Sequence, residues 1–569
     1  MLEPQSQSAA SGQTRLDEAV SDLNAAKQRW LELPVARKIE YAHGLLEGTV
    51  RTAAGQVEAA CEAKGVAADS PVAGEDWIGG PYIVTRLLRL LIDSLEDVGK
   101  HGSVRIDGSR VRAGDRGRAV VDVFPLSTYD KLLYTGFKAE VWMRPDVTPA
   151  NLADHIGGVY TASDSRSGVA LVLGAGNVAS IAPLDVVHKL FFEGRVALLK
   201  LNPVNDYLAP FFEDAFAELI RDGFVRIVTG GGAVGAYLCQ HDGIDEIHIT
   251  GSARTHDLIV WGRGGDADER RAAGRPLLDK PITSELGNVS PVIVMPGRWS
   301  DTEIRFQAEN LATQMTQNCG FNCNATKVIV TQEGWDQREA LLDELRTVLS
   351  ALPPRPAYYP GAAERHARFL EAHDRSESLG TRAAESLPAV LIPGLDPESQ
   401  ALAFREESFC AVTCETAIPG SSPAEYLRAA VEFANDRLYG TLNAGLIADP
   451  RTRRELRGEI DRAIADLRYG AVGINQWPAM AYAFGSTPWG AFPGHTLADI
   501  QSGIGSVHNT FLFNRPEKSV VEGPFRVFPK PPWFVSHRNA AAVGRRLVEF
   551  EAHPSPAKLP GIVLAAVRG

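Results

Sequence analysis

Cysteine is scarce in this chain. Six cysteines in 569 residues are too few for a disulfide framework, so a reducing compartment is expected. Two pairs, Cys319/Cys323 and Cys410/Cys414, share a four-residue step. Neither has C-x-x-C spacing or a histidine cluster beside it, which leaves a zinc site unsupported. Basic residues are in deficit, 58 against 70 acidic ones, for a formal net charge of −12. A nucleic-acid partner would require a basic face and is not expected. Uninterrupted apolar runs of the roughly 20 residues needed to cross a bilayer are missing. The nearest approach, residues 168–187, is broken by Asn177 and Asp185. Residues 1–14 carry one charge, Glu3, and lack the basic stretch and apolar core of a signal peptide. Internal repeats and low-complexity tracts are absent too. These gaps leave a cytoplasmic globular protein with no membrane span, and the length calls for two or more domains.

Periodicity supplies the organisation. Residues 16 to about 100 read as helices, with Leu16, Val20 and Leu23 on one face and Ile39, Ala42, Leu46 and Val50 on another. Pro34 stands at the start of the second helix, where its missing N–H is harmless. The texture changes to alternation over residues 102–147, where Val104-Arg105-Ile106 and Val120-Val121-Asp122-Val123-Phe124 read as strands of a hairpin-like extension. Residues 168–253 alternate strand and helix. Strands are expected at 169–173, 196–200, 225–228 and 246–249, which predicts a parallel, doubly wound sheet with its ligand at the carboxyl ends of the strands. The charged, Gly-rich stretch 262–275 reads as a solvated loop. A second α/β pattern runs from 282 to about 475, with strands near 291–294 and 327–330. Residues 516–569 are Pro-rich and weakly periodic.

Several residues carry chemistry. Cys323, in Asn318-Cys319-Gly320-Phe321-Asn322-Cys323-Asn324-Ala325, is a candidate nucleophile; taken alone it reads sooner as a buried structural thiol than as a nucleophile. Glu285 lies upstream in Ser284-Glu285-Leu286-Gly287. Gly174-Ala175-Gly176-Asn177-Val178-Ala179 follows a strand and matches G-x-G-x-x-[GA], but no acidic residue follows at the ribose-binding distance, so a tight turn without a phosphate explains it as well. Asn177 either donates to an oxyanion or caps the next helix. Thr250-Gly251-Ser252 opens a helix that either holds a pyrophosphate or is simply Ser-capped. Lys200, at a strand end, is a ligand group or a surface charge.

The order of these segments resembles the aldehyde dehydrogenase superfamily over roughly residues 15–528. Ser284-Glu285-Leu286-Gly287-Asn288-Val289-Ser290-Pro291 is similar to the family's L-E-L-G-G-K-S-P. Gly320-Phe321-Asn322-Cys323-Asn324-Ala325 is similar to G-Q-x-C-x-A, Glu406-Glu407-Ser408-Phe409 to E-E-I-F, and Thr487-Pro488-Trp489-Gly490 to the P-F/W-G segment. The resemblance implies an α/β fold: a Rossmann-type cofactor domain (1–101 and 151–281), a β oligomerisation extension (102–150) and an α/β catalytic domain (282–480). A return with an oligomerisation strand (481–528) and a C-terminal extension (529–569) complete it. It implies Cys323 as nucleophile, Glu285 as general base and Asn177 as oxyanion donor. It also implies NAD or NADP bound by Lys200, Thr250, Gly251, Ser252, Glu407 and Phe409. The expected function is oxidation of an aldehyde through a thioester resolved by water. The alternatives are coenzyme A as acceptor, as in acylating members or fatty acyl-CoA reductases, and a non-catalytic member. A homodimer or homotetramer is implied, assembled through residues 102–147 and Lys518-Ser519-Val520-Val521. The chain departs from the family pattern at Ala175-Gly176, where the family has Pro-Trp. Near Pro203 the ribose-binding glutamate is missing, which makes NADP plausible. Further departures are His256, Cys410-Ala411 and the tail after Phe528.

Overall fold

The computed structural model describes residues 4–162, 166–381 and 383–569; the first three residues of the polar N-terminal stretch lie outside them. Long amphipathic helices, Pro4–Glu32 and Val35–Ala63, open the chain. Pro34 occupies the N-cap of the second, so its ring meets no helical carbonyl. Val20, Leu23 and Trp30 form the buried face of the first helix and pack onto the strands of a six-stranded sheet. That sheet runs in spatial order Gly503–Ile504, Ile282–Leu286, Glu246–Gly251, Val169–Leu173, Val196–Lys200, Val225–Val228. All its pairings are parallel except that of Gly503–Ile504. The four strands expected between 169 and 249 are therefore present, with helices between them as the doubly wound pattern requires.

The second sheet has eleven strands. Ser290–Val294, Thr326–Gln332, Val412–Ile418 and Asn443–Ile447 form its parallel, fully covered centre, with separate apolar clusters on either face. The extension contributes Val111–Ala113, Ala119–Phe124 and Lys138–Met143, all antiparallel. Residues 104–106, expected as a strand, form none.

Three further expectations change. The strand Ile282–Leu286, expected to open the catalytic domain, pairs within the six-stranded sheet, so the chain crosses between sheets at Gly287. The stretch 262–275 contains an exposed helix, Gly265–Ala272, with Asp266 and Asp268 in its first turn and Arg270 and Arg271 in its last. The strand Pro516–Glu522, expected at a subunit interface, is filled on both edges within its own chain: parallel to Ala471–Ile474 and antiparallel to Lys138–Met143. A partner subunit finds no free edge on that strand. Among the described residues no helix is long and apolar enough to cross a membrane.

The tail is ordered by packing rather than by periodicity. The helix Ala540–Ala552 docks against the N-terminal helices, and Leu559–Val567 packs on Ala540–Ala552. A Cβ on Gly544 would lie 2.6 Å from Trp77 Cβ, so the glycine permits the close approach. Glu551 is buried and accepts from Arg86 Nη1 at 2.7 Å and Arg89 Nη2 at 2.7 Å; Arg86 also donates to Asp130 at 3.0 Å and to the Phe484 carbonyl at 3.0 Å. Removing one partner strands a buried guanidinium. Glu551→Ala is therefore expected to lower stability by about 3–5 kcal/mol, read as an earlier urea midpoint than wild type.

Candidate active site

Cys323 lies between the helix Asp301–Thr316 and the strand Thr326–Gln332. The helix ends in a turn with three successive left-handed residues, Asn318 (φ 52), Cys319 (φ 57) and Gly320 (φ 74). Such backbone persists only where its surroundings hold it. Gly320 leaves no room for a Cβ, which would meet the Cys410 carbonyl carbon at 2.6 Å. Glu75 accepts from Asn318 N at 2.8 Å and is itself held by Arg355 at 2.5 Å. Lys64 donates to Asp76 at 2.6 Å and to Asn318 Oδ1 at 3.3 Å. The N-terminal helices thus clamp the nucleophile loop, a role the sequence reading missed because Glu75 and Lys64 lie some 250 positions upstream.

Asn177 is fixed by the same loop. Its Nδ2 donates to the Phe321 carbonyl at 2.8 Å, and its carbonyl oxygen accepts from Asn318 Nδ2 at 2.9 Å and Tyr358 OH at 3.1 Å. It does not cap the next helix, whose N-cap is Ser180. Of the two readings open in the sequence, helix capping is therefore ruled out. The preceding glycines serve packing. A Cβ on Gly176 would meet Asn202 Cγ at 2.7 Å, and Asn205 Nδ2 closes the turn on the Ala175 carbonyl at 2.9 Å.

Glu285 sits in the strand Ile282–Leu286 directly opposite Thr250. Its carboxylate accepts from Trp489 Nε1 at 3.2 Å. Withdrawal from water raises its pKa to about 7, against the Trp489 hydrogen bond. The Cys323 thiol is pushed well above its ordinary value, first by burial and then by the charges of Glu285 and Glu407; its own backbone N–H acts in the opposite direction. The resting sulfur is thus a thiol that shares its cavity with a base.

Cys323, Glu285, Asn177 and Thr250 line one cavity of about 250 Å³. Trp477 and Tyr482, as readily core as site in the sequence, line it as well. Lys200, Gly251, Ser252, Glu407 and Phe409 do not. Lys200 ends the strand Val196–Lys200, and its buried ammonium has no hydrogen-bond or ion-pair partner among the described residues. Burial lowers its pKa, countered by Asp206. Ser252 caps the nine-residue helix Ala253–Trp261, its Oγ accepting from Thr255 N at 3.2 Å, so the capping reading holds. The helix N-terminus nevertheless lies at the carboxyl end of a parallel strand, where an anion gains from its N–H groups. Glu407 has a buried Oε1 without a partner, and a Cβ on Gly287 would fall 1.8 Å from its Oε2. Burial raises its pKa. Phe409 (φ 41) packs edge-on to Tyr359, with ring centroids 5.0 Å apart. Lys200 and the helix start at Ser252 lie at the carboxyl ends of strands in the six-stranded sheet, and these groups, with the Glu407 carboxyl, could hold a cofactor.

A thiol and a carboxyl in one cavity beside a doubly wound sheet define a class of covalent-thiol sites built next to a nucleotide fold. The profile of the aldehyde dehydrogenase family matches residues 167–492, more than half of the chain, and the chain belongs to that family. It is 30% identical over 147 residues to 4-trimethylaminobutyraldehyde dehydrogenase of Bos taurus, covering 25% of this chain and 26% of that protein. It is 26% identical over 345 residues to N-succinylglutamate 5-semialdehyde dehydrogenase of Vibrio cholerae, covering 58% and 64%. The match thus spans less than two thirds of either relative. Among solved structures, an NAD-dependent aldehyde dehydrogenase from Sinorhizobium meliloti superposes with TM-score 0.60 at 17% identity, covering 91% of this chain and 88% of that one. An NADP-dependent glyceraldehyde-3-phosphate dehydrogenase from Bacillus halodurans C-125, complexed with NADP, gives 0.58 at 17% identity, covering 90% and 91%. These likenesses establish the fold.

Proposed function

We infer that the chain oxidises an aldehyde to a carboxylic acid with NAD or NADP, through a thioester on Cys323 that water resolves. One observation carries this reading: the Cys323 thiol shares a cavity with Glu285, a carboxyl whose pKa burial raises to about 7. A base in that range accepts a proton at neutrality and gives it up again. Glu285 takes the thiol proton as sulfur attacks the carbonyl carbon. The resulting oxyanion is met by the Asn177 amide and the Cys323 N–H. The nicotinamide supplies the hydride acceptor when bound, with Lys200, Glu407 and the 250–252 turn holding the rest of the dinucleotide. After hydride loss the carbon is a thioester. Glu285, having released its first proton, then takes one from water, whose oxygen displaces the sulfur. Retention of this base at the sulfur favours water over coenzyme A as acceptor.

The test is reduction of NAD or NADP by purified protein on aldehydes, with and without coenzyme A. Turnover without coenzyme A is expected; an absolute requirement for it would reassign the second step. Asn177→Ala is expected to reduce kcat by about 10²–10³-fold, while iodoacetamide still labels Cys323. Loss of labelling as well would mean that the Phe321 contact, not oxyanion binding, is what Asn177 supplies.

A further inference from the structure

We propose that residues 528–566, beyond the span of the family resemblance, wall the approach to Cys323 and fit the site to aldehydes with a bulky, uncharged, apolar substituent. This rests on the Cys323 chemistry proposed above. The cavity that holds Cys323, Glu285 and Asn177 is also lined by Phe528, Trp533, Leu547, Ile562 and Val563 of the tail and by Ile78, Tyr82, Phe137 and Met480. The tail is not a loose flap, because the Glu551 ion pairs and the Gly544 contact with Trp77 lock its first helix to the N-terminal helices. At the mouth, Phe528 is 88% exposed, Leu132 60% and Val563 50%, so the entrance is apolar as well. Clustered exposed apolar side chains of this size are unusual on a surface without a use for them.

Charge narrows the substrate further. Lys64 is paired with Asp76, Glu75 with Arg355, and Lys530 with Glu309 at 2.9 Å. Asp185 is tied to Thr250 at 2.9 Å. No cation lining the cavity is left over to meet a phosphate or a carboxylate on the substrate. The volume of about 250 Å³ is that of about eight waters at roughly 30 Å³ each, far more than a two-carbon aldehyde fills. A medium-length alkyl chain or a ring suits both the size and the lining.

The experiment measures kcat/KM for straight-chain aldehydes of increasing length and for glyceraldehyde 3-phosphate. A rise of about fourfold per methylene is expected until the cavity is full, with the phosphorylated aldehyde poor. Ile562→Trp, which adds bulk to the tail's lining of the cavity, is expected to cut the octanal-to-propanal ratio at least tenfold; Leu277→Ser, on an exposed segment elsewhere, leaves it unchanged. Val563→Lys reads the same wall from the solvent side should the tryptophan variant misfold. Independently of turnover, 1-octanol but not ethanol should slow alkylation of Cys323 by iodoacetamide, and the Ile562 variant should lose that protection. A flat length profile, or octanol protection absent in the wild type, overturns the proposal. Protection without oxidation of any aldehyde would instead overturn the dehydrogenase reading and leave the apolar wall standing.

Discussion

Cys323→Ala is expected to abolish aldehyde oxidation, lowering turnover by about 10⁴-fold or more with the fold intact. The side chain is small and faces a cavity, so its loss removes few packing contacts, while it takes away the only atom able to carry the acyl group. Cys319→Ala is the matched control. Cys319 lies on the same strained turn but donates to the Pro356 carbonyl at 3.1 Å and lines a different pocket. Burial pushes its pKa up to about 12 and raises that of Cys323 too, but Cys319 is outside the cavity that holds Glu285. It should keep turnover within a few-fold of wild type. Incubation with aldehyde and cofactor, followed by intact-mass measurement, should show an acyl adduct on wild type and on the Cys319 variant and none on Cys323→Ala. Persistent activity in Cys323→Ala would require a different nucleophile and end the thioester account.

Much of this site was legible in the sequence because its parts lie at strand ends, where chain order and spatial order agree. Thr250 and Glu285 are register partners on adjacent parallel strands, and the loop holding Cys323 feeds directly into a central strand. Periodicity locates such strands, and position at their carboxyl ends does the rest. Contacts made across long sequence separations were not legible. Glu75 reaching Asn318 and Trp489 reaching Glu285 have no local pattern. The tail failed for a related reason. Its second helix is apolar almost all round, so no amphipathic period marks it, and the docking surface of its first is supplied by helices more than 400 residues earlier. The misread destination of Pro516–Glu522 belongs here too. Alternation identifies a strand but says nothing of whose edge it joins, and both edges are taken up within the chain.

Glu285→Gln should separate the two halves of the reaction. The amide keeps the size of the carboxylate and can remain near Trp489, but it cannot accept the proton of water. Thioester is expected to form, giving a burst of about one reduced cofactor per site, after which acid release is slowed by about 10²–10⁴-fold. The pH profile gives an independent readout. With the Glu285 pKa at about 7, the deacylating carboxylate is depleted about tenfold for each pH unit below that value and saturated above it, so wild-type release should climb toward neutrality and then level off. The variant should lose that limb. Stability should move the opposite way. A carboxyl whose folded pKa is raised above its unfolded 4.5 favours the native state fully below 4.5 and loses that contribution as pH rises through 7. At pH 8 wild type therefore carries an ionisation penalty of up to about 3 kcal/mol that glutamine does not. Glu285→Gln should unfold at higher urea concentration than wild type at pH 8, with the difference shrinking toward pH 4.5. A less active, more stable variant is what a carboxylate held out of water for catalysis requires. Unchanged acid release, or a variant less stable than wild type at pH 8, would remove Glu285 from the role of base.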